Sequence, residues 1–210
     1  MTVDAAFWNN LAERYAAQPV ADPDAFDRKI GIVRELLRPD HTVLNVGCGT
    51  GSLSLRLADT GADLHGLDLS SEMVRIARDK TASQGVDNVT FHVGPFDDTF
   101  TAFDDASLDV AMAFSILHLV PDLDDALALI FRLLKPGGAF VSSTVVLGES
   151  FVPYRPMLAV MRWLGKAPMV HIYSKHDLAE AMRRAGFVDV RQRDVGAKAI
   201  VGFMTAVKPA

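Results

Sequence analysis

The sequence predicts an α/β fold: a doubly wound, mostly parallel sheet with helices on both faces. Three observations carry that reading. From residue 42 to residue 147, short apolar runs alternate with helical periodicities. A glycine-rich turn, Gly47-Cys48-Gly49-Thr50-Gly51, sits where an apolar strand meets a helix. Two runs, Val188 to Val195 and Ala199 to Lys208, are joined by Gly196-Ala197-Lys198 and read as a hairpin that adds an antiparallel strand.

Taken in order, residues 4–17 read as a helix with Phe7, Trp8, Leu11 and Tyr15 on one face. Pro19 and Pro23 break the chain, and Asp24 is the expected cap of a second helix. Phe26, Ile30, Val33 and Leu37 recur there at helical spacing until Pro39. Val43, Leu44 and Val46 make a buried strand over 42–46. Leu53, Leu55, Leu57 and Ala58 follow on a helix over 51–59. A strand over 63–68 ends in Asp68, and Ser70 or Ser71 caps a helix over 71–83. Gly85 and Asn88 punctuate the turn into a strand over 89–93. Leu108 to Phe114 is a buried strand. The helix over 122–134 turns Leu123, Leu127, Ile130, Phe131 and Leu134 inward and stops at Lys135-Pro136-Gly137-Gly138. A strand over 139–147 follows, and Ser174 caps a helix over 175–185 that ends at Gly186.

With 210 residues, half of them hydrophobic, the chain suffices for one α/β domain with a sizeable core. Its net charge of -5, without a dense Lys/Arg cluster, argues against nucleic acid as a partner. Cys48 is the single cysteine, so no intramolecular disulfide forms. The start, Met1-Thr2-Val3-Asp4, has no charged-then-apolar leader, and no uncharged stretch reaches the ~18 residues of a membrane span. The default expectation is a cytoplasmic protein. The six histidines show no His-x-x-x-His spacing and there is no Cys-x-x-Cys, so no metal site is expected.

The turn at 47–51 is the chief chemical signal. Gly47, Gly49 and Gly51 remove the Cβ atoms that would hold a ligand off the backbone. The N–H groups opening the next helix face the same ligand. The spacing is G-x-G-x-G, tighter than the G-x-G-x-x-G/A of dinucleotide sites. Asp68 lies about 20 residues on, where an acidic residue meets a ribose.

In this order the pieces resemble class I S-adenosylmethionine-dependent methyltransferases. The likeness is to the small-molecule "methyltransferase domain" type, to which quinone-biosynthesis C-methyltransferases are related. It rests on the glycine turn, on Asp68 with Ser70 and Met73, and on Ala106-Ser107-Leu108-Asp109-Val110. It continues through Ser115-Ile116-Leu117-His118-Leu119-Val120, Leu133-Leu134-Lys135-Pro136-Gly137-Gly138, and Phe7-Trp8-Asn9-Asn10-Leu11-Ala12-Glu13-Arg14-Tyr15.

The resemblance implies a Rossmann-like methyltransferase fold of seven strands, the last antiparallel, in one domain over 1–210. Helices within 1–38 would close over the methionine end of the cofactor, and 149–173 would cover the substrate. The implied cofactor is S-adenosylmethionine, met by Gly47, Cys48, Gly49, Gly51, Asp68, Leu69, Met73, Phe96, Asp97 and Ser115. Met73 belongs either on the adenine or in the core. The family often carries Gly-Asp-Ala after the third strand, whose Asp meets the adenine amino group. Here Gly94-Pro95-Phe96-Asp97-Asp98 places Pro95 at that position, leaving the backbone of Phe96 and Asp97 to read adenine. His118, at the carboxyl edge of the fourth strand, and Tyr15 are the candidate catalytic residues, with His171 and Tyr173 as alternatives.

Between 149 and 173, Phe151, Tyr154, Met157, Leu158, Met161, Trp163 and Leu164 are interleaved with Arg155, Arg162 and Lys166. This suits a lid over an apolar acceptor; a core helix, a membrane-touching helix and a dimer contact are the alternatives. The expected function is methyl transfer from S-adenosylmethionine to a small, fairly apolar or aromatic molecule. A nicotinamide-dependent oxidoreductase and a non-catalytic binder of the cofactor or its product are the other readings. A homo-oligomer is left open.

Overall fold

Val43, Leu44 and Val46 are almost wholly buried, which places the first strand, β1 (Thr42–Val46), in the middle of a sheet. The computed structural model describes residues 3–149, 154–163 and 168–210. β1 lies between two parallel neighbours, β2 (Asp63–Asp68) and β4 (Leu108–Phe114). β3 (Val89–Val93) pairs outside β2, and β5 (Leu134–Val145) outside β4, both parallel. β6 (Val188–Gln192) and β7 (Val201–Val207) are antiparallel, and β7 is antiparallel to β5 as well. The seven-stranded order is β3-β2-β1-β4-β5-β7-β6, with β7 alone reversed, as the resemblance implies.

One face of the sheet is covered by helices α2 (Pro23–Arg34), α3 (Ser52–Leu57) and α4 (Ser71–Gln84), through Ile30, Val33, Leu53, Leu57, Val74 and Ala77. The other is covered by α5 (Leu123–Leu133) and α7 (Lys175–Arg184), through Leu127, Ile130, Leu178 and Met182. The first helix, α1 (Val3–Ala16), packs on the outside of α4. Its contact is made by Ala12 against Met73 and Ile76, flanked by Trp8 and Ala16. Ala12 is fully buried at the centre of that contact; on the expected face Phe7, Trp8 and Leu11 are half-buried and Tyr15 is 46% exposed.

Several boundaries differ from the sequence expectation, each for a local reason. Asp22, not Asp24, caps α2, accepting from the Ala25 N–H at 3.1 Å. Pro23 then takes the first helical position, where its missing N–H is harmless. The helix expected over 51–59 starts at Ser52 and tightens into a 3₁₀ turn over Ala58–Thr60. α5 stops at Leu133, because Leu134 already pairs with Leu108. The register shifts between Leu108 and Val110, so β5 reaches back across Pro136-Gly137-Gly138 instead of starting at 139, and it ends at Val145. The hairpin strands are shorter than the runs that predict them. Of the 149–173 segment, Tyr154–Trp163 is a helix, α6. Residues 150–153 and 164–167, with Phe151, Leu164 and Lys166, lie outside the described residues.

Candidate functional site

β1 ends at the point where the sheet order reverses, with β2 on one side and β4 on the other. Open α/β sheets leave a crevice at the carboxyl edge of such a point. The glycine turn occupies it. Gly47, Gly49 and Gly51 have φ of +67°, +53° and +75°, a left-handed conformation natural only to glycine. A Cβ on Gly47 would lie 2.7 Å from the Ile116 side chain, and one on Gly51 2.7 Å from the Phe91 ring. These two glycines are thus required by packing against the protein itself. Gly49 is different: a Cβ there would meet only the Tyr15 ring, at 3.8 Å. Its outer face is the open one.

Asp68 ends β2 beside that face. One carboxylate oxygen accepts from the Gly49 N–H at 2.8 Å and the other from the Ser70 N–H at 2.9 Å. Burial raises its pKa above the usual carboxylate value, and the two N–H donors oppose that rise. Each oxygen keeps a lone pair for a further donor. Cys48 is buried beneath the turn. Burial, and then the charge of Asp68, push its thiol well above the ordinary cysteine value. It is therefore an inert packing residue. Leu69 follows Asp68, half-buried.

The first helix reaches this place from outside. Asn9 Oδ1 accepts from the Ser70 hydroxyl at 2.7 Å and from the Glu72 N–H at 3.3 Å. The same Ser70 hydroxyl caps α4 by accepting from the Met73 N–H at 3.1 Å. Arg75 pairs with Glu13 across the helices and with Glu72 and Asp79 along α4, both at 2.9 Å. One turn after Ala12, this latch brings Tyr15 over Gly49. Partial burial and the nearby Asp68 charge raise the Tyr15 phenol. Met73 packs under Ala12 and is 2% exposed.

At the end of β4, Ser115 has a φ of +58°, uncommon for a residue with a Cβ, and its N–H donates to the Ser143 carbonyl at 2.6 Å. That bend turns Ile116 over Gly47. His118 follows, 9% exposed, with no partner for Nδ1. Burial lowers its pKa to about 4, so it is neutral at pH 7. Its carbonyl accepts from the His171 N–H at 2.8 Å. His171 stacks on Tyr173, centroids 5.9 Å apart, and its Nε2 is also buried without a partner. Together with Leu158, Arg162, Met169 and Ile172, these two rings line a cavity of about 370 Å³.

The β3 side is less convergent. Phe96 is half-buried and packs near Phe100, with centroids 6.1 Å apart. Asp97 is exposed, and its Oδ1 is occupied by the Thr99 N–H at 2.9 Å and the Thr99 hydroxyl at 2.6 Å. His65 bonds His92 at 3.1 Å and Asp63 at 3.0 Å under an edge-on Phe103, a structural cluster. Among the described residues no three His, Cys, Asp or Glu side chains are grouped to hold a metal ion.

The structure thus gathers Gly47, Cys48, Gly49, Gly51, Asp68, Leu69 and Tyr15 at one point, with Ser115 and His118 on the adjoining loop. Met73 lies one layer out and Asp97 is turned to its own loop. Sequence reading missed Asn9, whose partners are more than 60 residues away, and gave no weight to the backbone bond between His118 and His171.

The methyltransferase-domain family matches residues 37–186. The chain belongs to this family. As a methyltransferase domain it is similar to the O-methyltransferase cnsE of Penicillium expansum, 29% identical over 92% of this chain and 67% of that protein. Its fold is that of phosphoethanolamine N-methyltransferase 2 of Haemonchus contortus, solved in complex with S-adenosyl-L-methionine. There the TM-score is 0.74 at 17% identity, covering 88% of this chain and 53% of that one. It is also the fold of the [4+2]-cyclase SpnF, with a TM-score of 0.70 at 24% identity over 88% of this chain and 82% of that one. The methyltransferase domain spans between 29% and 67% of the length of the first three curated relatives it matches. Its sheet departs from the dinucleotide-binding order 3-2-1-4-5-6 by the reversed β7 between β5 and β6.

Proposed function

We propose that this protein transfers a methyl group from S-adenosylmethionine to a small, fairly apolar or aromatic molecule. The observation that carries the reading is the pairing of the open face of Gly49 with the Asp68 carboxylate at the switch point of the sheet. A nucleoside fits that pair. Backbone free of side chains meets the ligand, and the carboxylate oxygens accept from ribose hydroxyls. Gly47, Cys48 and Gly51 hold the turn, and Ser115 bounds it from the β4 side. Leu69, Phe96 and Asp97 border the adenine, with Met73 supporting from below. Bound S-adenosylmethionine supplies a methyl already activated by its sulfonium charge.

The protein then needs chiefly to align and to exclude water, and positioning alone supplies about 7–11 kcal/mol in favourable cases. Tyr15 closes the methyl end from above. His118, neutral and with a free Nδ1, accepts a hydrogen bond from the nucleophile and orients it. With a pKa of about 4 it is a weak base, so the acceptor is a group that releases its proton readily or has none to release. The cavity between α6 and residues 168–173 holds the acceptor. Its lining of Leu158, Met169, Ile172 and two rings favours an apolar or aromatic molecule, and Arg162 favours one with an acidic group.

Calorimetric titration with S-adenosylmethionine, S-adenosylhomocysteine and NADH tests the cofactor. Micromolar binding of both sulfur nucleosides and none of NADH is expected; binding of NADH alone refutes the proposal. The rival reading is a binder that does not transfer, or that catalyses another reaction, since one fold serves many chemistries. The buried, weakly basic His118 is what favours it. Release of S-adenosylhomocysteine during an acceptor screen, followed by mass spectrometry, decides between them.

A further inference from the structure

Parallel strands are usually joined through a helix, yet residues 94–107 join β3 to β4 with neither helix nor strand. Rings hold this connection down. Phe96, Phe100 and Phe103 are half-buried and pack on the core at the α5 face of the sheet. Two histidines stand beneath them, His65 on β2 and His92 on β3. The Phe103 ring lies 4.8 Å from His65 and 6.1 Å from His92, centroid to centroid, and Phe100 lies 6.1 Å from His92. Phe100 in turn meets Phe96 at 6.1 Å and Phe103 at 6.0 Å. The segment that carries Phe96 and Asp97 thus rests on two titratable rings.

The two histidines and Asp63 form a chain of hydrogen bonds that limits its own protons. His65 Nε2 lies 3.0 Å from Asp63 Oδ2, and His65 Nδ1 lies 3.1 Å from His92 Nε2. A carboxylate only accepts, so His65 donates through Nε2. One proton then serves the contact between the rings. Either a neutral His92 donates it to a neutral His65, or a cationic His65 donates it to a neutral His92. A second positive charge leaves no acceptor there: two N–H groups would face each other across 3.1 Å, on two cations. From α4 the Arg78 guanidinium adds its charge, while from residues 94–107 the groups in ring contact are Phe100 and Phe103. Burial first, then the charges of His65 and Arg78, hold the His92 imidazole below the ordinary histidine value of 6.5. The bonded pair is therefore complete above pH 6.5 and is lost as the pH falls below it.

We propose that the Asp63–His65–His92 chain positions the 94–107 segment, and that it thereby makes cofactor affinity dependent on pH. The positioning stands on the geometry alone; the link to the cofactor rests on the reading that Phe96 and Asp97 border the adenine. A second proton parts the two imidazoles, Phe100 and Phe103 lose their support, and the adenine side of the site loosens. The three residues act through Phe96 and Asp97 and are positioning residues.

The test compares the wild type with His92→Gln, whose amide stands where Nε2 does and donates without titrating. Aromatic NMR resonances of the ligand-free protein report the segment. From about pH 7.5 to about pH 5, the Phe100 and Phe103 rings should move together with the His92 imidazole and hold still in the variant. The midpoint should lie below 6.5. Calorimetry with S-adenosylhomocysteine reports the site. Over the same range its affinity should fall at least about fivefold further in the wild type than in His92→Gln. His65→Asn offers His92 an amide that serves either protonation state; it guards against a folding defect and should flatten both responses. Rings that do not follow His92 in the wild type overturn the proposal, as does an equal loss of affinity in all three proteins. Ring movement in a protein that binds no nucleoside at either pH would uphold the positioning and refute the cofactor reading instead.

Discussion

The Asn9 side chain on the first helix accepts the Ser70 hydroxyl at 2.7 Å, while that hydroxyl accepts the Met73 N–H that opens α4. Ser70 follows Asp68 by two residues, and Asp68 holds the Gly49 N–H. The position of α1, and with it Tyr15, is therefore tied through three side chains to the shape of the glycine turn. Replacing Asn9 with Ala removes the acceptor of both the Ser70 hydroxyl and the Glu72 N–H, partly buried bonds of about 0.5–1.5 kcal/mol each. The expected result is roughly 2- to 10-fold weaker binding of S-adenosylhomocysteine, read by calorimetry. Unchanged affinity would mean that Ala12 and Met73 position the helix unaided.

Asp68→Asn keeps the size of the side chain but replaces one acceptor oxygen with a donor, next to N–H groups that also donate. Hydrogen bonds to a charged group contribute about 1.5–3 kcal/mol each. Affinity for S-adenosylhomocysteine should fall at least tenfold. A variant that binds like the wild type would remove Asp68 from the ribose.

Gly47→Ala should destabilise the fold by about 1–3 kcal/mol, from left-handed strain and a clash with a stiff, β-branched neighbour. Urea denaturation reads it directly. Gly49→Ala shares the strain but not the clash, so its larger effect should be on ligand affinity. Equal stability losses for the two would contradict the packing of Ile116 on Gly47.

His118 predicts a pH dependence. Burial lowers its pKa from 6.5 to about 4 in the folded protein. Between those values the unfolded chain holds a proton that the folded chain does not. Stability is therefore complete above pH 6.5 and falls as the pH drops toward 4, by about 3 kcal/mol in the limit. His118→Gln should flatten that part of the profile. Parallel profiles for the two proteins would show that the imidazole is not held neutral.

The Cys48 thiol should react with a disulfide reagent only as the protein unfolds, since burial and Asp68 both disfavour the thiolate. Labelling at pH 7 should be slow in buffer and complete in denaturant. Rapid labelling of the native protein would place the sulfur at the surface.

The fold was largely legible because central strands carry short apolar runs, as Val43, Leu44 and Val46 do in β1 and Val110 to Phe114 in β4. Their bounds needed only local chemistry: Ser70 and Ser174 at helix starts, Gly85 after α4. What misled was local chemistry with two solutions. Asp22 and Asp24 both cap well, and only the place of Pro23 decides between them. The glycine turn and Asp68 were legible because the step from the turn to the acid that bonds the Gly49 N–H is itself a sequence interval. Asn9, the twist at Ser115 and the backbone link from His118 to His171 were not. Each depends on which distant segment lies alongside, and no periodicity encodes that.

β7 carries a consequence for how the protein is made. It lies between β5 and β6, and Phe203, Met204 and Ala206 are each about 1% exposed. β5 and β6 precede it in the chain but have no edge to share until it is in place. During synthesis the half-sheet from β3 to β5 must wait, with one flank of β5 unpaired, until residue 207 has left the ribosome. Closing the sheet is then an insertion over long sequence distances, the slow kind of step in folding. A nascent chain stalled before Val201 presents an open strand edge to its neighbours, and there chaperones would find most to do.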